Sequence, residues 1–231
     1  VIRVFTGPDE LAETLACDIA SAITRRLQRD GRAAIAVSGG STPKRFFQAL
    51  SKKKLNWAAV TVTLVDERWV PASSPRSNAR LVQENLLQGP AAAAAFTPLV
   101  DPSGMAASPE LGRLWAEAAV RALPLPFAAV VLGMGNDGHT ASFFPGGDRL
   151  AEALDPFSPR LVETMQAEAA VEPRITLTLP LLLAAETLAV QIEGPEKRAT
   201  LEAAMQPGPA ADMPIRAVLA RQPPPDIFWC P

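Results

Sequence analysis

The residues best suited to chemistry stand in one run, Gly133-Met-Gly-Asn-Asp-Gly-His-Thr-Ala-Ser-Phe-Phe-Pro-Gly146. His139 within it is the only histidine of the 231-residue chain. Histidine is the side-chain type that accepts a proton near neutral pH, so a reaction needing a base there has one evident source. A single histidine can also be an ordinary hydrogen-bonded structural residue. This one sits in a glycine-rich turn beside Asp137, Thr140 and Ser142, which favours the catalytic reading. Asp137 is placed to orient either the imidazole or the hydroxyls of a sugar.

Three further clusters carry groups that suit a phosphorylated ligand. Ser38-Gly-Gly-Ser-Thr-Pro43 combines Gly39 and Gly40 with the hydroxyls of Ser41 and Thr42, just before an expected helix. Backbone N–H groups and the helix dipole make such a loop an anion cradle, or simply a tight strand-to-helix turn. It has neither the Gly-Lys-Ser/Thr of a nucleotide-binding loop nor a Gly-x-Ser-x-Gly elbow for a nucleophilic serine. Asp66-Glu67-Arg68 is either a solvated loop or the carrier of an arginine whose planar fork fits a phosphate. Lys197, in Gly194-Pro-Glu-Lys197, falls on a first helical turn, where a cation opposes the helix dipole. An anionic ligand at that turn accounts for it, and so does a solvated surface position.

The elements that must position these groups are legible as alternating strands and helices. Ala33–Val37, Val60–Val65 and Phe127–Leu132 are continuous apolar runs, as in a parallel sheet buried on both faces. Thr187–Ile192 reads as another strand, Pro173–Thr178 alternates like one, and 1–6, 96–100, 160–164 and 227–229 are shorter candidates. Helices are expected from Gly7 to about Arg29, over 44–50, from Ser77 to about Leu87, over 109–123, over 179–185 and from Gly194 to about Met205. The first carries Leu11, Leu15, Ile19, Ile23 and Leu27 on one stripe at i, i+4 spacing. Residues 89–95 read as an alanine-rich linker, 101–108 as a loop, and 215–219 is ambiguous. The pattern predicts an α/β protein: one domain over 1–231, a three-layer αβα sandwich with a mostly parallel, Rossmann-like sheet.

Composition narrows the function. Hydrophobic residues make up 48% and charged residues 20% of the chain, with a net charge of −2. That balance suits a globular protein large enough for a sizeable core and gives no electrostatic case for nucleic acid. Cys17 and Cys230 lie far apart, match no metal or redox spacing, and are expected as free thiols. With one histidine, no metal site is expected. No charged segment followed by an apolar one opens the chain, and no uncharged apolar run reaches membrane-spanning length. A cytoplasmic protein, monomeric or a small homo-oligomer, is therefore the expectation.

Four of the clusters, 38–42, 66–68, 136–139 and 196–197, fall at the same end of their strands. In open α/β sheets that is where ligands bind. Together they describe one pocket with an anion cradle, cations, carboxylates and a base, suited to an enzyme acting on a small phosphorylated molecule.

Ser38–Pro43, Val65-Asp-Glu-Arg-Trp-Val-Pro71 with Ser77-Asn78, Gly133–Ser142 and Arg174-Ile-Thr-Leu-Thr178 resemble, in order, the motifs of the 6-phosphogluconolactonase family. Gly194–Lys197 resembles that family's lysine motif. The resemblance runs from about Ala33 to Lys197, with Phe228-Trp229 similar to the last strand. It implies a cytoplasmic, metal-free and cofactor-free hydrolase of 6-phosphogluconolactone in the oxidative pentose phosphate pathway. Arg174 enters the site list through this resemblance alone. The related glucosamine-6-phosphate deaminases carry a glutamate five residues after the histidine. Phe144 occupies that position here and cannot transfer a proton. Phe143 stands where leucine is more usual in the lactonases.

On that reading, His139 takes a proton from a water that attacks the lactone C1, with Asp137 orienting it and Asp66 as the alternative water-activating carboxylate. Gly39, Gly40, Ser41 and Thr42, with Arg68, Arg174 and Lys197, hold the phosphate end, and glycine-turn N–H groups receive the oxyanion. A sugar-phosphate sensor without turnover on the same fold would keep the cradle and dispense with the base.

Overall fold

Strand β1 (Ile2–Val4) leads into the long helix α1 (Pro8–Asp30), then β2 (Ala33–Val37), α2 (Lys44–Ser51), β3 (Val60–Leu64) and β4 (Asp66–Arg68). These are followed by α3 (Asn78–Asn85), β5 (Ala95–Thr97), α4 (Pro109–Arg121), β6 (Ala129–Leu132), α5 (Leu150–Leu154), β7 (Val162–Met165) and β8 (Arg174–Leu177). The chain ends with α6 (Leu179–Leu183), β9 (Thr187–Glu193), α7 (Pro195–Ala204), α8 (Ile215–Leu219) and β10 (Asp226–Cys230). The computed structural model describes all 231 residues.

Seven strands form one parallel sheet in the order β1-β10-β9-β6-β2-β3-β5. Every residue of β2 and β6 is buried, which is why both read as unbroken apolar runs. One apolar core of 57 buried residues joins sheet and helices. Leu11, Leu15, Ile19 and Ile23 of α1 are fully buried in it, each removal from water being worth about 1.5–3 kcal/mol before entropy is counted. The helix stops at Gly31, whose left-handed φ of 71° lets its N–H cap the Leu27 carbonyl.

Strand order fixes where a ligand can sit. From β2 the chain moves outward to β3, whereas from β6 it moves the other way to β9, although β2 and β6 are hydrogen-bonded neighbours. Right-handed crossovers in opposite directions put α1 and α2 on one face and α4 and α7 on the other. The loops leaving β2 and β6 therefore diverge and open a crevice between them. Residues 38–42 and 133–139 are those two loops.

One feature departs from the expected single sheet. Asp66–Arg68 does not simply end the third strand; it forms a strand of its own in a second, three-stranded sheet ordered β4-β8-β7. The main ladder stops at Val65, whose N–H donates to Val37 O at 3.0 Å while its carbonyl accepts from Leu177 at 2.8 Å. The chain thus transfers from one sheet to the other within a residue. Residues 215–219 form the short helix α8, and the 89–95 linker contains a 3-10 turn over Gly89–Ala93. No helix is long and apolar enough to cross a membrane.

Candidate active site

The loop after β2 begins with Ser38, whose N–H donates to Val131 O at 3.0 Å and so ties the loop to β6. Gly39 follows in contact with the start of α3: a Cβ there would lie 1.8 Å from Asn78 Oδ1, so only glycine fits. Asn78 is itself fixed, its Nδ2 donating to the Asp66 carbonyl at 2.9 Å. Helix α2 then starts at Lys44 with no side-chain cap and no acidic residue in its first turn. Its amino end, with the Ser41 and Thr42 hydroxyls beside it, remains open to an anion.

The loop after β6 is a closed turn. Gly135 N–H donates to His139 O at 2.8 Å and Gly138 N–H to Gly135 O at 3.1 Å. A Cβ on Gly135 would lie 2.1 Å from His139 Nδ1, so the imidazole packs directly on a bare backbone. His139 Nδ1 meets Asp137 Oδ1 at 2.6 Å, and the His139 backbone N–H reaches the same oxygen at 3.1 Å. Burial pushes the Asp137 carboxyl upward, but the hydrogen bond and charge of His139 outweigh it and hold the group at about 2. An ionised carboxylate only accepts, so Nδ1 carries the proton and Nε2 is left with a free lone pair. The Phe144 ring lies 4.5 Å from the imidazole, centroid to centroid, and the Arg174 guanidinium stands 5.3 Å from the centroid of the same Phe144 ring. Thr140 Oγ1 donates to Gly133 O at 2.7 Å and Ser142 Oγ to Asp66 Oδ2 at 2.6 Å, which pin the turn from both ends.

The cations come from three elements. Arg68 closes β4 and Arg174 opens β8, each contributed by the second sheet. Burial lowers the Arg174 guanidinium, partly offset by Asp66, whose Oδ2 lies 3.9 Å from Nη1. Lys197 on α7 is half-buried; that burial pushes its ammonium down, while Asp137 and Glu196 favour its charge. The His139 turn is linked to the same helix, because Asn136 Nδ2 donates to Glu196 Oε2 at 3.2 Å. Glu67 faces away from this group. It accepts from the N–H groups of Arg68, Asn78 and Ala79 and from the Ser77 hydroxyl, at 2.7–3.0 Å. Burial still pushes its carboxyl upward against those four donors.

These groups converge on a cavity of 330 Å³ at the divergence of β2 and β6. Gly39, Gly40, Ser41, Thr42, Asp66, Arg68, His139, Arg174 and Lys197 all line it, and Asp137 stands one hydrogen bond behind His139. Asp66 is occupied by Ser142, so Nε2 of His139 is the freer acceptor. Gln191 and Glu193 also line the cavity and were not singled out from the sequence. Gln191 and Glu193 sit two apart at the carboxyl end of β9, and that spacing on a strand terminus is the signal that would have found them. Burial raises the Glu193 carboxyl, with the Gln191 hydrogen bond opposing. No group of three or more His, Cys, Asp or Glu side chains is arranged to hold a metal ion. Cys17 is exposed and Cys230 buried, both free.

The family described as glucosamine-6-phosphate isomerases/6-phosphogluconolactonase matches residues 6–229. A 6-phosphogluconolactonase of Rhizobium meliloti (strain 1021) is 50% identical over 231 residues, covering 100% of this chain and 98% of the relative. One from Pseudomonas aeruginosa is 42% identical, covering 100% and 94%. The crystal structure of a 6-phosphogluconolactonase from Shewanella baltica superposes with a TM-score of 0.96 at 39% identity, covering 100% of this chain and 97% of that one. The α/β architecture agrees with that structure, and the chain belongs to the glucosamine-6-phosphate isomerase/6-phosphogluconolactonase family.

Proposed function

We propose that this protein hydrolyses 6-phospho-D-glucono-1,5-lactone to 6-phosphogluconate, the lactonase step of the oxidative pentose phosphate pathway. The observation that carries the reading is the 2.6 Å bond from His139 Nδ1 to an ionised Asp137, which leaves Nε2 as a base in a cleft shared with three cations. Relatives named 6-phosphogluconolactonase at 42–51% identity support the substrate class.

The substrate's phosphate lies against the Gly39–Thr42 loop, Arg68, Arg174 and Lys197. Holding that end converts attack at C1 into a positioned reaction. Nε2 of His139 takes a proton from water as the oxygen attacks the carbonyl, and Asp137 stabilises the imidazolium that forms. The tetrahedral oxyanion is received by backbone N–H groups of the glycine-rich turns. When the intermediate collapses, the ring oxygen leaves as the C5 hydroxyl, taking the proton held on Nε2. Asp66 serves this site from behind, by fixing Ser142.

Deamination of glucosamine 6-phosphate is the second reading the family allows. Phe144 argues against it: its ring packs at 4.5 Å on His139, where a proton-transferring glutamate would be needed. The deciding experiment measures acid release from freshly made lactone, corrected for spontaneous hydrolysis, in the presence of chelator. Turnover without ammonia release from glucosamine 6-phosphate is expected. Phosphate-dependent binding with no acceleration of hydrolysis would make the protein a sensor.

A further inference from the structure

Arg68 forms no ion pair, and its Nε is buried without a hydrogen-bond partner. Arg174 has only the 3.9 Å approach to Asp66. Both are instead aimed by backbone carbonyls: Arg68 Nη1 donates to Arg76 O at 2.6 Å, and Arg174 Nε to Glu172 O at 3.3 Å. The two residues supplying those carbonyls grip each other. The Arg76 guanidinium meets both oxygens of the Glu172 carboxylate, Nε to Oε1 and Nη2 to Oε2, the latter at 2.9 Å. Neither side chain lines the cleft.

We infer that the Arg76–Glu172 ion pair is a clasp that positions Arg68 and Arg174 for the anionic end of the ligand. It joins the loop between β4 and α3 to the loop between β7 and β8, the segments that carry the two carbonyls. The Trp69 N–H, donating to Pro173 O at 2.8 Å, extends the same seam. Arg76 and Glu172 are thus positioning residues acting through main-chain atoms. An isolated ion pair at a surface generally contributes little, but two-pronged arginine–carboxylate geometry is the exception. Glu172 is only 16% exposed, and Arg76 holds its carboxyl below the usual range, with burial opposing and Arg174 and Arg68 reinforcing. The inference rests on the reading of the cleft as a sugar-phosphate site.

The test uses Glu172→Gln, Arg76→Gln and the double variant, with inorganic phosphate as the binding probe and the lactone as substrate. In each single variant, the phosphate dissociation constant and the KM should rise by about threefold to tenfold, the span expected for one partly buried pair. The kcat should stay within about twofold, and the double variant should be no worse than either single one, because one interaction is removed in all three. Unchanged phosphate affinity and KM in the single variants would overturn the clasp. So would effects that multiply in the double variant, or a kcat that falls as far as KM rises. If the wild type binds phosphate but does not turn over the lactone, the proposed activity fails while the phosphate constants still decide the clasp.

Discussion

Arg68 and Arg174 are directly opposed partners across the antiparallel ladder of β4 and β8. Like charges at opposed positions destabilise a sheet. Asp66, 3.9 Å from Arg174, and Glu172 both favour the Arg174 charge, and the effect of Asp66 exceeds the opposing effect of Arg68. The larger penalty on the Arg174 charge is burial, which a bound anion would offset.

Arg174→Met keeps an unbranched side chain at this buried position and removes one charge. In anion-free buffer it should unfold at no lower a temperature than the wild type, because replacing a poorly paired buried charge by an apolar side chain is commonly neutral or stabilising. It should lose most of the stabilisation that the wild type gains from inorganic phosphate. Its substrate affinity should fall by about 1.5–3 kcal/mol. Thermal melts with and without phosphate check this. A variant that is weakened without phosphate and fully rescued by it would mean that Arg174 supports the sheet rather than the anion.

His139→Asn and Asp137→Asn separate the base from its orienter. The first should retain the fold and 6-phosphogluconate binding while losing about 10²–10⁴ in turnover, the usual range for a general base. In the second, the new amide can donate to Nδ1 and drive the proton onto Nε2, so the imidazole faces water in the wrong tautomer. A loss of similar size is expected, by analogy with serine hydrolases altered at the same relationship. The single histidine makes the tautomer readable by 15N NMR. Full activity with the tautomer unchanged in Asp137→Asn would remove Asp137 from the mechanism.

The low-lying Asp137 carboxyl also has an acid-stability signature. Its folded value, about 2, is below the unfolded value of about 3.9. The stabilisation is therefore fully present above about pH 4 and is lost as pH falls toward 2. Asp137 is 40% exposed, so the effect should be small. Urea melts of wild type and Asp137→Asn between pH 2 and 6 should differ most at the upper end and converge toward pH 2. Parallel curves across that range would refute the assignment.

Glu67→Gln replaces an acceptor of four hydrogen bonds by a group that can accept at only one of its two ends. Destabilisation of about 1–3 kcal/mol is expected from the donors left unpaired. Chemical denaturation measures it, and a loss below about 0.5 kcal/mol, the usual scatter of surface changes, would contradict the geometry.

Much of this was readable in advance where one rule dominated. Ala33–Val37 is a strand with the same bounds in sequence and structure, because a run buried on both faces has no other reading at that length. The clusters after β2 and β6 were legible for the same reason: glycine and small polar residues end an apolar run abruptly. Asp66–Arg68 was harder, since three charged residues carry no hydrophobic period. Alternation still applies there, however. It sends Asp66 and Arg68 to the cleft and Glu67 to the opposite side, where it caps the start of α3. The Arg76–Glu172 pair left no sequence signal at all, because its partners are 96 residues apart in loops.

The divergence of β2 and β6 makes the cleft a caliper. One jaw is the glycine and hydroxyl loop after β2, the other the imidazole turn after β6, and their gap is set by adjacent strands about 4.8 Å apart with Ser38 N–H bonded to Val131 O. Neither jaw can slide without breaking the central ladder. A phosphorylated lactone one carbon shorter should therefore seat its phosphate and still present its carbonyl out of reach of His139, behaving as a competitive inhibitor rather than a substrate.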